Sequence, residues 1–118
     1  MKYLLTILSA IVIVAGLSTT ARADGLSNVT ITHTEATVAT STTTVLAANG
    51  KRKFALIIND GSADVYLRIG ESAVLNEGIL VTPDGSYEMS RALGNLSAAV
   101  VNGIVASGTV NVLVIEGE

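Results

Sequence analysis

Glycine punctuates this chain at a spacing that limits what it can fold into. Gly50, Gly61, Gly70, Gly78, Gly85, Gly94, Gly103, Gly108 and Gly117 recur at intervals mostly of seven to eleven residues, and the runs between them are rich in Val, Ile, Thr and Ala. Regular turn signals separated by short β-branched runs are the pattern of a sandwich or barrel. Pro83 is the single proline, so nothing else in the sequence forbids strand pairing. Helical periodicity is nearly absent beyond residue 23. The one candidate turn, Ser90 to Leu96, contains Gly94 and is weakened by it.

Individual strands can be read from the alternation of apolar and polar residues. Val29, Ile31 and His33 alternate with Thr30, Thr32 and Thr34. Glu35 to Thr44 is dominated by Thr and Ala. β-Branched Thr favours extended backbone, but few large anchors fix a register, so an edge strand or an arm is expected. Phe54 to Ile58 is apolar on both faces, and Val110 to Ile115 is a second such run; both predict central strands. Val65, Leu67 and Ile69 point one way, with Tyr66 and Arg68 the other. Gly78–Val81 and Tyr87–Ser90 predict short strands, and Gly103 within the apolar Leu96–Ala106 run suggests a bend or bulge. Asn49-Gly50, Asn59-Asp60-Gly61-Ser62 and Pro83-Asp84-Gly85-Ser86 supply turns. The expected fold is all-β: a small single-domain β-sandwich of roughly seven or eight short strands.

The first 23 residues read as a signal peptide. Lys2 gives a positive start, Leu4 to Gly16 is an almost unbroken apolar run, and Ala21-Arg22-Ala23 places small residues where a signal peptidase needs them. The run is short for a membrane span of about 20 residues, so no stable span is expected once the leader is removed. The remaining chain divides into a Thr-rich strand or arm over 24–44 and a sandwich core over 45–118. Export to the periplasm or exterior without a single cysteine leaves dense β packing or neighbouring subunits as the sources of stability. A homo-oligomer or a protein lattice is therefore the expected state.

With Lys2 and Arg22 gone, five basic residues face ten acidic ones, a net charge of −5. Such a balance argues against nucleic acid, whose binding depends on phosphate neutralisation by Lys and Arg. Catalysis has little to draw on. His33 is the only histidine, there is no cysteine nucleophile, and one lone histidine does not make a zinc site. Glu71 and Glu77, like Asp84 and Glu88, flank loops and read as solvated acids. Asn59 to Asp64 carries oxygen ligands at alternate positions, as a calcium loop does, but the same residues make an ordinary turn. No enzyme and no cofactor are expected.

The remaining candidates are assembly contacts: Val29, Ile31, Thr40 and Thr42 in the Thr-rich segment, and the basic trio Lys51, Arg52 and Lys53. The trio can seat an acidic patch of a neighbour or guard the sticky Phe54–Ile58 strand against aggregation. Strand addition suits the Thr-rich segment, because main-chain hydrogen bonds supply the affinity. Tyr66, Tyr87 and Arg68 offer an alternative, a carbohydrate- or cell-wall-binding module, if the rings share one exposed face.

A further set of residues follows a recognisable order. It runs Thr43-Thr44-Val45-Leu46-Ala47-Ala48-Asn49, then Arg52-Lys53 into Ala55-Leu56-Ile57-Ile58-Asn59-Asp60, then Ala63 to Gly70. Gly78-Ile79-Leu80, Gly85-Ser86-Tyr87-Glu88 and Ala106 to Val112 complete it. In this order the chain from Thr42 to Glu118 resembles small β-rich phage and prophage proteins that decorate heads or otherwise associate with the particle. The resemblance implies a non-enzymatic accessory protein, multimeric on a protein lattice and virion-associated, with no site residue to carry over. The leader departs from that pattern. A phage-derived domain redeployed at the cell surface or in the periplasm accommodates both features.

Overall fold

The structure, a computed structural model, describes residues 28–118, and among them every regular element is a strand. The leader expected over 1–23 and the first residues of the Thr-rich segment lie outside the described residues. Eight strands follow in chain order: β1 (Ile31–Val38), β2 (Thr43–Leu46), β3 (Phe54–Asn59), β4 (Val65–Ile69), β5 (Ile79–Val81), β6 (Ser86–Ser90), β7 (Val101–Ile104) and β8 (Val110–Gly117). They form two four-stranded sheets ordered β1-β8-β3-β6 and β2-β7-β4-β5. Every neighbouring pair is antiparallel. This is the strand order of a jelly roll, a β-sandwich made of two Greek keys.

The alternation in the sequence explains which face of each strand is buried. Val110, Val112 and Val114 of β8, Ala55 and Ile57 of β3, and Met89 of β6 point inward from the first sheet. Val65 and Leu67 of β4, Val81 of β5 and Val101 of β7 meet them from the second. Val38, Val45 and Leu46 close the core beside β1 and β2. Full burial of one such aliphatic side chain contributes about 1.5–3 kcal/mol, and this cysteine-free sandwich rests on their sum.

Several local expectations resolve differently in three dimensions. Of the edge strand and the arm expected for the Thr-rich segment, the structure forms the edge strand: β1 pairs over its whole length with β8, and a boundary between residues 44 and 45 falls inside β2. Gly103 makes no bulge. It stays in register with Leu67 and Thr43, and its hydrogen side chain is demanded by packing, since a Cβ there would stand 2.9 Å from Val45 Cγ2. The irregularity lies between Thr44 and Leu46 instead. Asn49-Gly50 and Asn59–Ser62 are crossovers between sheets, and β4–β5 is the one connection that stays within a sheet. Ser90 to Leu96 is a turn, closed by the Gly94 amide donating to the Arg91 carbonyl at 3.1 Å.

Gly78 is the glycine with the least freedom. Its φ is +85°, and a Cβ there would press into the Leu67 carbonyl, a backbone atom with nowhere to go. Gly78→Ala is expected to cost about 2 kcal/mol, from left-handed strain plus displacement of β4. Urea denaturation monitored by far-UV dichroism measures it; a loss under about 0.5 kcal/mol contradicts the packing described.

Candidate assembly interface

The basic trio is divided by the fold. Lys51 is exposed, and its backbone amide is bound by Asn49 Oδ1 at 2.9 Å. Lys53 is exposed and its ammonium donates to the Asn28 carbonyl. Arg52 is buried, with only 1% of its side chain accessible. Its Nε donates to Glu116 Oε2 at 2.6 Å, one terminal nitrogen donates to the Ser97 and Ala99 carbonyls at 2.6 and 3.0 Å, and the other to Ala47 at 2.5 Å. Asn49 Nδ2 completes the cluster, reaching Glu116 and Glu118 at 3.0 Å each. Contrary to the expectation of a basic contact patch, Arg52 is spent inside its own chain, where it ties two inter-sheet loops to the last strand.

The Thr-rich candidates lie on or near β1. Val29 is half-buried, whereas Ile31, Thr40 and Thr42 are exposed. Thr42 Oγ1 accepts the Ala73 amide at 2.7 Å and so anchors the loop between β4 and β5. β1 is the edge of its sheet, and no strand among the described residues pairs with its outer side. The ladder phase shows which groups stand free there. Thr30 and Glu118 exchange both backbone hydrogen bonds, at 2.8 and 3.0 Å. Antiparallel pairs alternate between bonded and non-bonded, so Thr32, Thr34, Ala36 and Val38 bond to β8 in the same way. The N–H and C=O groups of Ile31, His33, Glu35 and Thr37 therefore point away from the sheet.

Natural edges are usually short, bulged, or guarded by Lys or Pro. The other three edge features follow that rule: β5 has 3 residues, β6 has 5, and β2 has 4 with a register shift. β1 has 8 residues in unbroken register, with neither Lys nor Pro. Sequence reading marked Ile31 on this strand but passed over His33 and Glu35 as contacts. Their alternation with threonine was the signal, and it becomes informative only once β1 is known to be an edge.

The middle of the outer face of the same sheet is apolar, flanked by the polar outward residues of β1 and β6. Phe54, Leu56 and Ile58 of β3 stand beside Leu113 and Ile115 of β8, all half-buried by one another and without a covering element among the described residues. Phe54 lies over Gly117, filling the space its missing side chain leaves. Antiparallel sheets usually turn a polar face to water, so this face is an exception.

The sugar-binding arrangement is not assembled. Tyr66 faces outward from the second sheet beside Leu80 and Ile104, whereas Tyr87 belongs to the first sheet and packs against the core. Arg68 is engaged by Glu71 and, at 3.6 Å, by Glu77. Asn59, first residue of the supposed calcium loop, is fully buried, with its Oδ1 held by the Gly61 amide at 2.9 Å. No group of three or more His, Asp or Glu side chains suited to a metal occurs among the described residues. His33 is exposed on β1 and takes part in none of the ion pairs among the described residues. No family model matches the chain, and no curated protein matches it.

Proposed function

We propose that this is a non-catalytic structural protein, exported by its leader, which self-associates or coats a larger assembly through the edge of its first sheet. The observation that carries this is β1: eight residues of regular edge with no bulge, Lys or Pro, in a sandwich whose other edges are short or irregular. Free backbone groups of that kind recruit a further strand, with affinity from main-chain hydrogen bonds. The resemblance to phage decoration proteins agrees with such a role, as does a fold that recurs in viral capsid domains; the same fold also serves lectins and cupins, so it selects no function alone.

Size-exclusion chromatography with light scattering on the product purified after expressing the full chain tests this directly. A dimer or larger species is expected. Glu35→Pro removes an amide that faces solvent, which an edge strand tolerates, and it is expected to yield monomer with an unchanged dichroism spectrum. Wild-type monomer at all concentrations, or assembly unaffected by Glu35→Pro, rules the proposal out.

A further inference from the structure

We infer that the partner of β1 is β1 of a second copy, paired antiparallel about a two-fold axis that passes through Thr34. This rests on the self-association proposed above and adds its partner, symmetry and register. Side chains directly opposite in an antiparallel pair project to the same side of the sheet. A two-fold perpendicular to the sheet keeps both outer faces on one side. Outward residues of one copy must then face outward residues of the other, which allows only registers that shift by two. Four of these, centred on His33, Thr34, Glu35 and Ala36, pair five or more residues of each strand, and the last is set aside because it leaves both Ile31 and His33 outside the paired stretch.

Charge distinguishes them. Centring on His33 sets imidazole against imidazole, and centring on Glu35 sets carboxylate against carboxylate, which is unfavourable for residues directly opposed. Centring on Thr34 sets His33 opposite Glu35 of the second copy, twice, with each imidazole N–H able to donate to a carboxylate. It also sets Ile31 opposite Thr37 twice, and Thr34 opposite itself, a favourable hydroxyl pair. This register also engages the most backbone. Ile31, His33, Glu35 and Thr37 are the residues whose N–H and C=O point outward, and all four find a bonded partner in it. The other two registers leave one of them outside the paired stretch.

The product is one continuous eight-stranded sheet, β6-β3-β8-β1 joined to its symmetry mate. The apolar patches built from Phe54, Leu56, Ile58, Leu113 and Ile115 then lie on the same side, one on each flank of the paired β1 strands. Ile31 to Glu35 are exposed without interruption, and among the described residues no strand hydrogen-bonds to that edge.

Cysteine scanning reads the register, since the chain has no cysteine of its own. At Thr34 the two copies meet in a non-hydrogen-bonded pair, with Cα atoms about 4.5 Å apart, inside the span a disulfide bridges. Thr34→Cys, introduced in the full chain and oxidised after purification, is expected to give a covalent dimer in high yield. Thr32→Cys faces Ala36 of the second copy and lies about 14 Å from its own mate, so it is expected to stay unlinked. His33→Glu opposes two pairs of carboxylates and is expected to weaken the dimer at least tenfold. The exchange His33→Glu with Glu35→His restores the pairing and is expected to recover it.

The outcomes separate this inference from the reading beneath it. A wild-type monomer overturns both. A wild-type oligomer in which Thr34→Cys does not cross-link, or Thr32→Cys links as readily, overturns the two-fold and its register while leaving self-association in place. Failure of the exchange variant to recover what His33→Glu loses overturns the charge argument for this register.

Discussion

Replacing Arg52 with methionine is expected to destabilise the sandwich by about 3–5 kcal/mol, the range for removing one partner of a buried ion pair. The cost has two sources. Glu116, 17% exposed, is left as a poorly hydrated carboxylate without its cation. The carbonyls of Ala47, Ser97 and Ala99 also lose a charged donor, a smaller cost because Ala47 is exposed and Ser97 and Ala99 are only half-buried, within reach of water. A small domain has about 5–15 kcal/mol in total, so the variant loses a large part of its stability. Lys51→Met, next door on the surface, is expected to change stability by less than about 0.5 kcal/mol. Urea titration of the two variants gives the comparison; equal effects contradict the buried role of Arg52. Pairing Arg52→Met with Glu116→Leu is expected to recover part of the loss, because both charges leave together.

Asn59→Asp, a change of one atom type, is expected to cost more than Asn59→Ala, which itself costs about 3 kcal/mol. Asn59 is fully buried at the end of β3. Its amide donates to the Ala63 carbonyl at 2.7 Å and the Val81 carbonyl at 2.9 Å, and its oxygen accepts from Gly61. Its backbone meets the turn before β6 as well, accepting from the Asp84 amide and donating to the Gly85 carbonyl, each at 3.0 Å. One residue thus bolts β3 to the end of β5 in the opposite sheet. An ionised aspartate accepts only, so it faces two carbonyls with no proton to give and buries a charge as well. Thermal melts of the two variants at neutral pH rank them; an aspartate variant more stable than the alanine one contradicts this account.

The strands were readable because their signals are local. β4 announces itself by alternation and β3 and β8 by unbroken apolar runs, whereas the break between β1 and β2 at residues 39–42 falls inside the Thr-rich run and carries no turn signal. Sheet membership was hidden, because Asn-Gly or Asn-Asp-Gly-Ser serves a hairpin and an inter-sheet crossover equally well. Arg52 was hidden for a different reason: a run of three bases looks solvated, and nothing within it marks the middle one. The signal lay elsewhere in the chain. Glu116 continues the inward phase of Val110, Val112 and Val114, and an acid at such a position requires a buried cation. Asn59 likewise continues the inward phase of Ala55 and Ile57, which argued for a core amide over a calcium ligand. Gly103 misled because a glycine in a strand can mark either a bulge or a close approach. Only the positions of Val45, Leu67 and Val38 around it decide between the two.

The position of β8 governs when this protein can fold. It follows every other strand in sequence, yet it lies between β1 and β3, paired with both. Until it arrives, β1 has no partner and β3 has only β6, so the first sheet cannot close on the second. The contacts that matter join residues from opposite ends of the described chain, a topology that folds in milliseconds to seconds and not microseconds. Synthesis proceeds at about 5–20 residues per second, so a nascent chain spends seconds with β1 and one side of β3 unpaired. That delay is built into the strand order: the first sheet stays open along one side of β3 until residues 110–117 have been made.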